Sequence, residues 1–183
     1  LAEIRDWITD DADFSPAQRA EILALLQTVG FDPVRNLRFR SSTNVEDGDQ
    51  FSGAGLYDSF SGCLADELDA DGVGPSLCDP AEPKERGVFR ALRKVYASFY
   101  NDNAFLERLR HRVDEAGVGM AVLVHHSTPD EFEEANGVAT LRISKDGGHY
   151  VSGKLVSQLG AVSVTNPDTA AVPESVSVTS FAG

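Results

Sequence analysis

The chain has 183 residues, 42% of them hydrophobic, enough to bury one sizeable core or two small ones, which excludes a disordered or fibrous class. Its formal net charge of −13 excludes nonspecific nucleic-acid binding, because a phosphate backbone repels an acidic surface. An anionic ligand must then be held by a local group of cations, which makes the position of each Arg informative.

The first residues, LAEIRDWITDD, lack the basic start and apolar middle of a signal peptide, and no apolar run approaches the roughly 20 residues that span a bilayer. The setting expected is the cytoplasm, with no membrane partner. Leu1 in place of an initiator Met, and the SFAG ending, read as fragment boundaries. Trp7 reads as a core or lobe-contact residue rather than as a platform for a base.

Ser15-Pro16-Ala17-Gln18 combines an N-cap hydroxyl, Pro at the first helical position and Gln three residues after the cap, so a helix is expected to follow. Ile22, Leu23, Leu25, Leu26 and Val29 form its predicted buried stripe, and Gly30 its left-handed stop. After the Asp32-Pro33 turn, Leu37 and Phe39 alternate with Arg38 and Arg40, the period-2 signature of a strand with one apolar and one cationic face.

That strand runs into Ser41, Ser42 and Thr43, which sets a cationic fork beside three hydroxyls and, in a tight turn, several free backbone N–H groups. Two readings stand side by side. The cluster suits phosphate oxygens; equally, Arg38 and Arg40 could pair with Glu46 and Asp47 while the hydroxyls cap a turn. In FSGAGLYDSF, Gly53 and Gly55 permit close backbone approach to a ligand, but no Lys-Ser or Lys-Thr follows, so this is not a Walker P-loop.

Residues 61–83 are rich in Gly, Asp and Pro and are expected to form a long surface loop. Its acidic run, Asp66, Glu67, Asp69 and Asp71, raises a calcium-binding module as a third reading, but the spacing does not match a helix-loop-helix calcium loop and a solvated acidic loop is preferred. Cys63 and Cys78 are too few and too far apart for a zinc knuckle. Two free thiols are expected, the alternative being a loop-stapling disulfide if the protein is exported.

From about 85 to 100, Val88, Phe89, Leu92, Val95, Tyr96 and Phe99 recur at helical spacing, interleaved with Arg86, Arg90, Arg93 and Lys94. Asn101-Asp102-Asn103 offers a break and a new cap, after which Phe105, Leu106 and Leu109 carry a second helix. Residues 118–126, VGMAVLVHH, are nearly all apolar and read as a strand buried on both faces, with His125 and His126 structural. Further strands are placed at 137–144, 150–158, 161–165 and 175–181, between the turns KDGG and NPD. The element order gives an α+β fold with helices packed on a mostly antiparallel sheet.

The blocks RFRSSTNVED, FSGAGLYDS, RALRKVYASFYNDNAFLERLR, VGMAVLVHH, EEANGVAT and QLGAVSVTNPD occur in that order, and together they resemble the nucleotide-binding domain shared by phosphoenolpyruvate synthase and pyruvate phosphate dikinase. The resemblance implies part of an ATP-grasp-like domain, with a first lobe at about 1–115 and strands of a second at 116–183. It implies ATP and Mg²⁺ as cofactors and transfer of phosphoryl to a His on a separate domain, then to pyruvate or another acceptor.

By position, Arg40 of the Arg-Ser-Ser motif is the catalytic candidate, stabilising charge on the transferring phosphoryl; Arg38, Ser41, Ser42, Thr43, Gly53 and Gly55 join it in nucleotide binding. By the same analogy the glycine-rich piece closes near the phosphates, and Glu46 and Asp47 orient Arg40. Three features depart from the family. An upstream Lys segment is missing, Ala161 stands where a magnesium-binding acid is expected, and none of His111, His125, His126 or His149 has the context of the phosphoryl carrier. The metal ligands are therefore unknown, Gln158 and Glu174 being weak candidates, and the chain alone is expected to be inactive. The alternative is a pseudoenzyme or interaction module that retains the fold.

Overall fold

The computed structural model describes residues 1–45, 47–48, 51–52, 55–128, 132–144, 150–160 and 172–181. They fall into two compact units, Leu1–Ser127 and Thr128–Gly183.

In the first unit, α1 (Ala2–Asp6) runs on into a π-helical turn, Trp7–Asp11, and α2 spans Pro16–Val29. The start of α2 is a complete capping box: Gln18 N–H donates to Ser15 Oγ at 3.3 Å, and Ser15 N–H to Gln18 Oε1 at 2.9 Å. Gly30 ends it at φ +85°, a conformation that glycine adopts without a Cβ penalty. The predicted stripe is displaced: Leu26 is buried with Ile22 and Leu23 against the core, while Leu25 and Val29 are 61% and 62% exposed. The core-facing direction lies towards Leu23, so Leu25 and Val29 fall past its edge.

Strand β1 (Leu37–Thr43) is followed by the short pair β2 (Asp47–Gly48) and β3 (Phe51–Ser52), then β4 (Ser59–Gly62) and helix α3 (Leu64–Leu68). Helices α4 (Val88–Ser98) and α5 (Asp102–Arg110), a 3₁₀ turn at Glu115–Gly117 and strand β5 (Met120–His126) complete the unit. The sheet order is β4-β1-β5, antiparallel throughout, with β1 in the middle. One sheet face carries Leu37, Phe39, Phe60, Val122 and Val124 against α4, whose Val88, Phe89, Ala91, Leu92 and Val95 fill the core.

Two expectations change here. Strand β5 is not buried on both faces: Met120, Val122 and Val124 pack inward, whereas Leu123 on the opposite face is 59% exposed. It pairs with β1 along its whole length, so it lies in the first unit, and the division between units falls after Ser127. The stretch 61–83 is not all surface loop, because Leu64 and Asp66 of α3 are buried. Asp66 holds the segment together by accepting from the backbone N–H groups of Leu77 and Arg86, both at 2.7 Å.

The cysteines are not free thiols. Cys63 and Cys78 form a disulfide that ties the end of β4 to the acidic loop. Trp7 is 59% exposed and stands outside the core.

The second unit is an antiparallel sheet of β6 (Ala135–Ser144), β7 (Tyr150–Leu159) and β8 (Glu174–Phe181), in that order. Ala139, Leu155 and Val176 lie side by side, as do Leu141, Gly153 and Val178, which gives the sheet one apolar face. Thr140, Lys154 and Ser177 lie on the other. The predicted strand at 161–165 lies outside the described residues.

Candidate functional site

Alternation along β1 divides its side chains as expected. Leu37, Phe39 and Thr43 are buried, and Arg38, Arg40 and Ser42 point to the other face. Because directly opposed residues share a face, register places Ser61 and His125 beside Arg38, Ser59 and Leu123 beside Arg40, and Ala121 beside Ser42. The outer face is thus a strip of two guanidinium groups and three hydroxyls. Ser41 and Thr43 belong to the strand rather than to a turn and project from the core side, so of the three consecutive hydroxyls only that of Ser42 accompanies Arg40.

Arg38 donates from Nη1 to Ser61 Oγ at 3.3 Å, which fixes one guanidinium on the strip. Arg40 is exposed, and among the described residues its guanidinium makes no hydrogen bond or ion pair. Of the two acids expected to pair with it, Asp47 is placed among the described residues by its backbone alone. Glu46, proposed as one such partner, lies outside them, as does Gly53; Gly55 is described, in the left-handed region at φ +77°. Ser59 and Ser61 were missed in the sequence, where the alternation Ser59-Phe60-Ser61 is too short to mark a strand by itself.

His126 is taken up by contacts within the unit, whereas His125 lies on the outer face beside Arg38. His126 packs edge-on against Phe31, with ring centroids 5.1 Å apart, and its Nε2 accepts from Asp32 N–H at 3.4 Å. His125 Nδ1 lies 2.8 Å from the His126 carbonyl oxygen.

The weak metal candidates do not converge. Glu174 stands opposite Ser157, so Gln158, the next residue along β7, projects from the other side of the sheet. Ala161 and His149 lie outside the described residues. No carboxylate comes from the strand positions that form the Arg40 face, so the described residues do not fit a magnesium site there. In the acidic loop, carboxylate oxygens of Asp69, Asp71 and Glu85 lie within 4.8 Å of one another. Burial, then the charges of Asp69, Asp66 and Asp71, push the Glu85 carboxyl above the usual range. Glu67, from the same acidic run, is taken up internally: it accepts from Arg19 Nη2 at 2.5 Å and from Phe89 N–H at 3.2 Å.

A family model described as the pyruvate phosphate dikinase AMP/ATP-binding domain matches residues 1–177. The chain belongs to this family. The membership inferred from the ordered motifs is thereby borne out, and the match takes in both units. The family's description covers AMP and ATP binding and kinase-type transfer. No curated protein matches the chain. No helix among the described residues is long and apolar enough to cross a membrane.

Proposed function

We propose that the chain is the ATP-binding part of a dikinase-type phosphotransferase, which passes a phosphoryl group from ATP to a His on a separate domain and on to pyruvate or another acceptor. The observation that carries this reading is Arg40. It is an exposed guanidinium on a central strand of a strongly acidic chain, without a partner among the described residues, and flanked by Arg38 and the hydroxyls of Ser42 and Ser59. In this reading Arg40 pairs with phosphate oxygens and stabilises the charge that builds up as the phosphoryl group leaves, the main task when a protein supplies little covalent chemistry.

The two lobes of an ATP-grasp-like fold are then divided after Ser127 rather than near residue 115, and of the glycine-rich piece residues 55–59 lie near the phosphates. Mg²⁺ accompanies ATP in the family's chemistry, but its ligands are not assembled among the described residues and no step here runs through it. The Cys63–Cys78 bond counts against a cytoplasmic location, because cytosolic reductants keep most thiols reduced.

Isothermal titration of the intact natural protein with ATP and Mg²⁺ tests the reading. Saturable binding is expected, weakened about 10- to 100-fold by Arg40→Ala, the equivalent of about 1.5–3 kcal/mol for charge-assisted hydrogen bonds. Absence of binding at millimolar nucleotide would sink it. A second reading, a pseudoenzyme that keeps the fold, is favoured by Ala161 in place of an acid. It fails if the unaltered intact protein converts ATP to AMP and phosphate.

A further inference from the structure

Arg108 is fully buried, yet it carries a charge that no purely packing role requires. Its Nε donates to Glu115 Oε1 at 2.8 Å, and its Nη1 to the Phe99 carbonyl at 3.0 Å and to the Tyr57 hydroxyl at 3.2 Å. The guanidinium carbon lies 3.9 Å from the centre of the Phe99 ring, on which Tyr57 also stacks at 6.1 Å with an interplanar angle of 12°. One side chain therefore joins the glycine-rich segment, the end of α4 and the turn that leads into β5.

That turn is also fastened to the far end of β1. Asn44 Nδ2 donates to the Gly117 carbonyl at 2.9 Å, and Gly119 N–H donates to Asn44 Oδ1 at 3.0 Å. Continuous contacts thus run from the arginine strand through Asn44, the 115–119 turn, Glu115 and Arg108 to Tyr57. A second tether holds the same limb of the glycine-rich segment: Asn101 Nδ2 donates to Asp58 Oδ2 at 2.9 Å and to the Leu56 carbonyl at 3.3 Å.

We propose that Arg108 is a positioning residue for nucleotide binding: by gripping the Tyr57 hydroxyl, it holds residues 55–58, the limb that leads into β4, in register with the Arg40 strand, so that the Gly55 backbone and Arg40 meet one phosphate chain. This inference rests on the nucleotide-binding reading above. A glycine-bearing backbone offers N–H groups to phosphate only if its base is fixed, and the Tyr57 hydroxyl is the point at which Arg108 fixes it.

The test compares ATP with AMP, which lacks the β- and γ-phosphates, by titration of the intact protein and its Tyr57→Phe variant. Phe keeps the ring stack and removes only the hydroxyl. The expected result is a loss of ATP affinity of about ten-fold with AMP affinity changed by less than about two-fold, the scale of one hydrogen bond to a charged group. Arg108→Lys, which keeps the charge but not the fork, should show the same ATP-selective loss; if it does not fold, Tyr57→Phe decides alone. Equal losses for ATP and AMP, or no loss for either, would overturn the inference while leaving the wider reading intact. No ATP binding by the unaltered protein would overturn both.

Discussion

Asp13 sits where three positive ends meet. It accepts from Phe14 N–H at 2.8 Å, and Arg19 Nη1 and Arg93 Nη1 each lie 3.1 Å from its Oδ1. The Phe14 hydrogen bond, more than the opposing effect of burial and with help from both arginines, holds its carboxyl below the usual range. The unfolded chain thus binds the Asp13 proton more tightly. The stabilisation is complete above the ordinary carboxyl value of about 4 and is lost as pH falls through the folded value. Asp13→Asn should therefore lower the denaturation midpoint at pH 7, by less than about 1 kcal/mol because the pair is well exposed, and the gap to the unaltered protein should close in acid. A gap that persists unchanged at the lowest pH at which the protein stays folded would refute the assignment.

At the scale of elements, the contact between α4 and the sheet depends on Gly62. A Cβ there would lie 2.9 Å from Phe39 Cε2, 3.1 Å from Ala91 Cβ and 3.3 Å from the Val88 Cα, so the Phe39 ring would have to shift and the helix to give by a few tenths of an ångström. Gly62→Ala is expected to cost about 1–3 kcal/mol in chemical denaturation, as overpacking of a filled core does. The elements legible in the sequence were those written in local chemistry. The capping box at Ser15 and Gln18, the alternation from Leu37 to Arg40 and the apolar stripe of α4 each need only a few neighbouring residues to be read. Strand β4 escaped notice because four residues without a β-branched side chain carry little signal. Strand β5 was misread because a nearly continuous apolar run looks the same whether its second face meets a core or, as here, lies open beside the arginines of β1. The partners of Arg108 were not legible at all, since they are brought together by packing over as many as 51 positions of chain.

At the scale of the whole chain, the cross-link between Cys63 and Cys78 spans 15 positions and fastens the loop bearing the Asp69, Asp71 and Glu85 cluster to the strand that neighbours β1. Closing a loop of that length in the unfolded chain contributes about 3 kcal/mol in the chain-entropy account. Cys78→Ser should lower the midpoint of the first unit's transition accordingly and remove its response to dithiothreitol, whereas the unaltered protein should fall to the variant's midpoint on reduction. If reductant shifts both proteins equally, the bond is not what stabilises this unit.

The central place of β1 has a consequence for the energetics of ligand capture. A guanidinium at the tip of a loop must surrender backbone freedom when an anion arrives, at roughly 1–2 kcal/mol for each residue ordered. Arg40 is spared that loss, because the backbone beneath it is bonded to β4 on one side and β5 on the other before any ligand comes. Its amide hydrogens should be among the slowest in the unit to exchange with solvent, with or without nucleotide. On the proposed reading, the ordering that accompanies binding is left to the Arg40 side chain and to other parts of the chain, and the strand backbone serves as the fixed point against which they settle.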